Sequence, residues 1–180
     1  MKQKNTGLLG LKPNSTKKLV ITALLFAIAL ILSVVENMLP PLPIPVPGIK
    51  FGLANIVVMY TLFFINKSTA IILVVLKALF GVMTRGVVAG MLSLCGGLMS
   101  VLVMILLISI FKDKISYLIL SIFGAVFHNI GQYIAISIIY VGMNLLFYLP
   151  VLLISGVLAG IVTSTLLKFI LPFLNGLGFK

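Results

Sequence analysis

The chain has 180 residues, 62% of them hydrophobic and 8% charged, with a formal net charge of +11. Soluble domains carry about 25% charged residues, so an ordinary soluble domain is excluded, and apolar runs long enough for a bilayer recur along the whole length. The basic residues stand at the ends of those runs and not on one amphipathic face with aromatics, so they read as topology signals and no nucleic-acid partner is expected.

The predicted elements, in chain order, describe an all-α integral membrane protein. Residues 1–18 form a polar cytoplasmic arm carrying Lys2, Lys4, Lys12, Lys17 and Lys18. The first apolar run predicts a helix over residues 19–39; it is too long for a signal-peptide core and more runs follow, so no cleavage is expected. Next comes E-N-M-L-P-P-L-P-I-P-V-P-G-I-K-F-G-L-A-N, from Glu36 to Asn55, with prolines at 40, 41, 43, 45 and 47. Proline fixes φ and lacks an N–H, so this stretch reads as a semi-rigid loop ending near Pro47-Gly48. Two readings stand for it: a lid or wall over a site, or a plain re-entrant connector. Helices are then expected over 49–65, 68–84, 91–111, 115–141 and 148–171, with Asn66-Lys67, Arg85-Gly86, Lys112-Asp113-Lys114 and Gly142–Asn144 between them and Pro172 as the stop. The transmembrane domain thus covers 19–172, and 173–180 is a short cytoplasmic tail.

Six spans put both termini on one side. With the N-terminus inside, the inner segments hold Lys67, Lys112, Lys114, Lys168, Lys180 and the lysines of the arm, against Lys50 and Arg85 outside. That bias predicts an N-in, C-in topology. Glu36, Lys50, Asn55, Lys77, Arg85, His128 and Gln132 then gather in the outer half, with Tyr148 beside the outer loop before the last helix. Ionisable groups in spans are costly and by default face a cavity or a partner.

His128 and Gln132 share a helix face, with Asn129 beside them. They suit a polar head group, or they hold helices together by interhelical hydrogen bonds. Lys50, Lys77 and Arg85, with Glu36 as the one counter-charge, favour an anionic or strongly dipolar ligand; pairing with Glu36 and snorkelling of Lys77 are the alternatives. Ala23/Ala27, Gly86/Gly90 and Gly156/Gly160 are small pairs at four-residue spacing, expected to pack helices closely, with Ala23/Ala27 placed where a partner subunit could dock. The single Cys95 excludes an internal disulfide, and one histidine with one cysteine on another helix makes no ordinary metal site. No Walker loop, Ser/His/Asp set or carboxylate pair is present, so no catalytic centre and no intrinsic cofactor are expected.

Pro45-x-Pro47-Gly48-x-Lys50-x-Gly52-Leu53-Ala54-Asn55, Ser93-x-x-Gly96-Gly97, His128-Asn129-x-Gly131-Gln132 and Tyr148-x-Pro150 with Gly156, after Glu36, resemble the Gx transporter family, whose members are labelled heptaprenyl diphosphate synthase component I. That family is similar to the S components of energy-coupling factor transporters. The resemblance implies a six-helix S-component-like bundle in a bacterial plasma membrane. A small solute would bind from outside beneath the proline-rich loop after helix 1, through Lys50, Asn55, Lys77, Arg85, His128, Asn129 and Gln132. Glu36, Pro47, Gly48 and Tyr148 would support that site, and Ala23 and Ala27 would dock a membrane coupling subunit that works with ATPases. Prenyl synthase subunits use aspartate-rich motifs, and the only aspartate here is Asp113. The alternatives are a non-catalytic accessory in isoprenoid or quinone metabolism, and a subunit of a flavin- or quinone-linked extracellular electron-transfer system. The last would bind a non-covalent flavin or quinone and partner an extracytoplasmic flavoprotein.

Overall fold

In a computed structural model, the described residues are 15–38, 52–112, 115–140 and 145–176. They form six α-helices and no strand: α1 (Ser15–Met38), α2 (Leu53–Phe64), α3 (Lys67–Arg85), α4 (Val87–Phe111), α5 (Tyr117–Ile139) and α6 (Leu149–Gly176). A short 3-10 turn, Leu145–Tyr148, leads into α6. Five of the helices are long and apolar enough to cross a membrane. Large apolar side chains such as Leu19, Ile31, Leu106, Ile138 and Phe169 are exposed on their outer surfaces, as lipid-facing positions require. The chain is a multi-pass membrane protein.

The exception is α2, which has 12 residues. Such a helix rises only about 18 Å, against about 30 Å of hydrocarbon. It is buried on almost every side: Ala54 and all of Ile56 to Leu62 have little exposure. It fills the middle of the bundle against α1, α3 and α6. Enclosed by protein in this way, a helix this short need not span the hydrocarbon by itself. The expected start at residue 49 is corrected to Leu53, because Gly52 at φ 73° stands in the left-handed region, outside a right-handed helix. The proline-rich loop, with Pro47, Gly48 and Lys50, lies outside the described residues.

Other boundaries move for local reasons. α1 begins at Ser15, so the last residues of the polar arm are its first turn. α4 begins at Val87 and not near residue 91, because Gly86 alone makes the turn, at φ 90° with open space around it. Gly86 is therefore a turn residue and not the packing partner of Gly90. Ser116 caps α5, its hydroxyl accepting from the Ile119 N–H at 3.2 Å. α6 runs through Pro172. The proline removes only the bond to the Lys168 carbonyl, near the helix end.

The helices alternate in direction, and small residues set how closely they pack. A Cβ on Gly131 would lie 2.7 Å from the Cys95 carbonyl oxygen, and one on Gly96 would lie 2.8 Å from that of His128. Between α5 and α6, a Cβ on Gly160 would come within 2.5 Å of the Ile122 Cα. The packing expected of Gly156 and Gly160 is present. Away from the cavity, Leu25, Tyr60, Leu73, Val101, Leu120 and Leu167 make the core. Phe63 meets Tyr117 edge-on at 4.9 Å between ring centres, joining the ends of α2 and α5.

Candidate functional site

The C-terminal end of α1, the N-terminal end of α2 and the second half of α3 meet at one end of the bundle. The Glu36 carboxylate accepts a hydrogen bond from the Gly52 N–H. This fastens α1 to the start of α2. One turn on, Lys77 Nζ donates to Asn55 Oδ1 at 2.7 Å. Both Glu36 and Lys77 are 9% exposed. The last turn of α3 brings the exposed Arg85 to the same end, and α5 contributes His128 and Gln132 from the opposite wall.

These groups line a cavity of about 460 Å³ that extends from this end down between α2, α4, α5 and α6. Of the residues expected at the site, Glu36, Asn55, Lys77, Arg85, His128, Asn129 and Gln132 all line it. Lys50, Pro47 and Gly48 lie outside the described residues. Tyr148 falls in the 3-10 turn, and its side chain is likewise outside them.

Asn129 and His128 divide the two readings of their motif. The Asn129 amide donates to the Leu152 carbonyl at 2.8 Å and to Ser155 Oγ at 3.3 Å. Its donor end therefore ties α5 to α6. The His128 ring lies against the Gly96 backbone, and its Nδ1 is buried with no hydrogen-bond partner among the described residues. A buried nitrogen without a partner, on a residue of a cavity wall, is a group that calls for one.

Hydroxyl groups were missed. Ser33, Ser93, Ser100, Ser121 and Thr163 also line the cavity. A signal existed: Ser121, Ala125, His128 and Gln132 follow one face of α5 at spacings of four, three and four, and Ser93 and Ser100 are two turns apart on α4. No cluster of histidine, cysteine or carboxylate side chains that could hold a metal occurs among the described residues. Ala23 and Ala27 are both exposed on α1, away from the cavity.

A family model described as heptaprenyl diphosphate synthase component I matches residues 25–170, which takes in α2 to α5, most of α1 and α6, and every cavity residue named above. No curated protein and no solved structure matches. The protein belongs to the heptaprenyl diphosphate synthase component I family.

Proposed function

We propose that the protein is a membrane-embedded solute-binding component of a bacterial plasma membrane, capturing a small anionic or head-group-bearing molecule from the outer face. The observation that carries this reading is the convergence of Lys77, Arg85, His128 and Gln132 around one end of a single cavity. Two cations and an amide suit an anionic group, and the one carboxylate in the wall accepts a backbone N–H. Transport would need a separate energising module. The exposed Ala23 and Ala27 leave a flat strip on α1 for a membrane coupling subunit that works with ATPases. We assign no catalytic role: the chain has two acidic residues, Glu36 and Asp113, too few for an aspartate-rich diphosphate–Mg²⁺ site.

A second reading draws on the cavity's depth. Beyond the polar mouth it is walled by Met59, Met104, Ala125 and Ala159, which suits the ring of a non-covalent flavin or quinone. In that case the partner is an extracytoplasmic flavoprotein and the role is electron transfer, or non-catalytic support of isoprenoid and quinone metabolism.

The test is mass spectrometry of small molecules that co-purify with the protein in mild detergent, beside the His128→Ala/Gln132→Ala variant. A soluble anion lost in the variant supports solute capture. A quinone or flavin lost in the variant supports the second reading. A ligand retained equally by the variant sinks the assignment of this cavity.

A further inference from the structure

The cavity does not become purely apolar below its mouth. Ser100 from α4, Ser121 from α5 and Thr163 from α6 line its lower part. Ser121 is 3% exposed, and its hydroxyl is buried with no hydrogen-bond partner among the described residues. A serine or threonine in a helix ordinarily returns its hydroxyl to the carbonyl four residues back. Thr61, Thr84, Ser109 and Thr165 all do so here, at 2.8–2.9 Å. Ser121 does not. Ser121 faces a mixed surround, with Met104 Sδ 3.0 Å from where a Cβ on Gly124 would sit. Ser100 Oγ lies 3.3 Å from where a Cβ on Gly124 would sit, one turn above Ser121. Gly160, one turn before Thr163, packs on the Ser121 and Ile122 backbone.

We propose that this lower end is a second polar subsite, centred on Ser121 with Ser100 and Thr163 beside it. The ligand is then elongated, with an anionic head at the mouth and a hydrogen-bonding group at its far end. The inference rests on the reading of the mouth as an anion site. His128 and Ser121 are seven residues apart on one helix, so their levels differ by about 10 Å. The cations at the mouth lie higher still, which separates the two ends of the ligand by about 10–15 Å. A plain hydrocarbon tail would leave the Ser121 hydroxyl unpaired in a dry site, and a terminal hydroxyl, carbonyl or ring nitrogen would satisfy it.

The experiment uses the full chain in lipid nanodiscs and two probes of matched length, n-octyl phosphate and 8-hydroxyoctyl phosphate. Thermal unfolding is followed by reaction of Cys95, the chain's one cysteine, with a thiol-reactive fluorophore. In the wild type, the hydroxylated probe is expected to raise the unfolding midpoint at about tenfold lower concentration than octyl phosphate, as one satisfied buried hydroxyl would give. Ser121→Ala should raise the midpoint of the empty protein and erase the preference. Ser121→Thr should keep the preference. Ser164 also has a buried, unpartnered hydroxyl but does not line the cavity, so Ser164→Ala should raise the midpoint and retain the preference. Equal response of the wild type to both probes, or a preference that survives in Ser121→Ala, overturns the second subsite and leaves the anion site standing. No response of the wild type to either probe overturns both.

Discussion

At the residue scale, the pairing of Asn55 with Lys77 separates stability from ligand capture. A hydrogen bond to a charged group is worth about 1.5–3 kcal/mol, and Lys77 is buried with its ammonium 2.7 Å from the Asn55 amide oxygen. Asn55→Leu takes that acceptor away from a buried cation. It should lower the unfolding free energy by about 2 kcal/mol. Lys77→Met keeps the length of the side chain and leaves only a neutral amide behind, so thermal unfolding should show the smaller loss. Phosphate-probe binding should show the reverse order, with Lys77→Met the more damaging. Asn129 belongs on the stability side: Asn129→Ala frees a carbonyl that Ser155 Oγ still serves at 2.9 Å. It should cost about 1 kcal/mol with little loss of ligand, whereas His128→Ala and Gln132→Ala should each weaken binding about tenfold. The sequence makes these polar residues visible, since an amide or imidazole inside an apolar run is conspicuous. It does not show which way each one points. Asn129 is one residue, and so about 100° of helix rotation, from His128, and that turns its amide onto α6. The serines were passed over because a hydroxyl can hide on its own helix backbone; Ser121 is legible only once the lack of such a bond is seen.

At the element scale, helix number and order are readable from the apolar runs, but three ends are not. Hydropathy cannot separate a full span from α2, a short buried helix, because both are apolar. Gly86 reads as half of a packing pair by spacing, yet its positive φ makes it the whole turn between α3 and α4. Pro172 reads as a stop, but near a helix end it removes one bond only. The close approach of α4 to α5 rests on glycine, and Gly131→Ala tests it. The new methyl would lie 2.7 Å from the Cys95 carbonyl oxygen and 3.0 Å from the Gly96 Cα. Backbone cannot rotate away, so the helices must separate, at about 1–3 kcal/mol. The expected signs are a lower unfolding midpoint and faster labelling of Cys95, half-buried in the wild type, under native conditions. An unchanged labelling rate would mean that the helices do not move apart.

At the scale of the whole molecule, the direction of the cavity decides what it can capture. The hydrogen bond from Gly52 to Glu36 and the one from Lys77 to Asn55 place the end of α1, the start of α2 and the second half of α3 together. Glu36, Arg85 and Tyr140 lie at that end of the cavity. The first turn of α1, Lys67, Lys112 and Lys168 lie toward the opposite end. Lysine and arginine are retained on the cytoplasmic side, so the cavity should open outward. A Cys95→Ser background with single cysteines at exposed positions tests this with a membrane-impermeant maleimide on intact cells. Met38, Val87 and Leu146 are exposed at the mouth end, and Lys67 and Lys112 are exposed at the other. Met38→Cys, Val87→Cys and Leu146→Cys should react from outside, and Lys67→Cys and Lys112→Cys only after permeabilisation. The opposite pattern would turn the cavity toward the cytoplasm. Capture from the outer face would then fail, although the anion site, which depends on side chains and not on orientation, would remain.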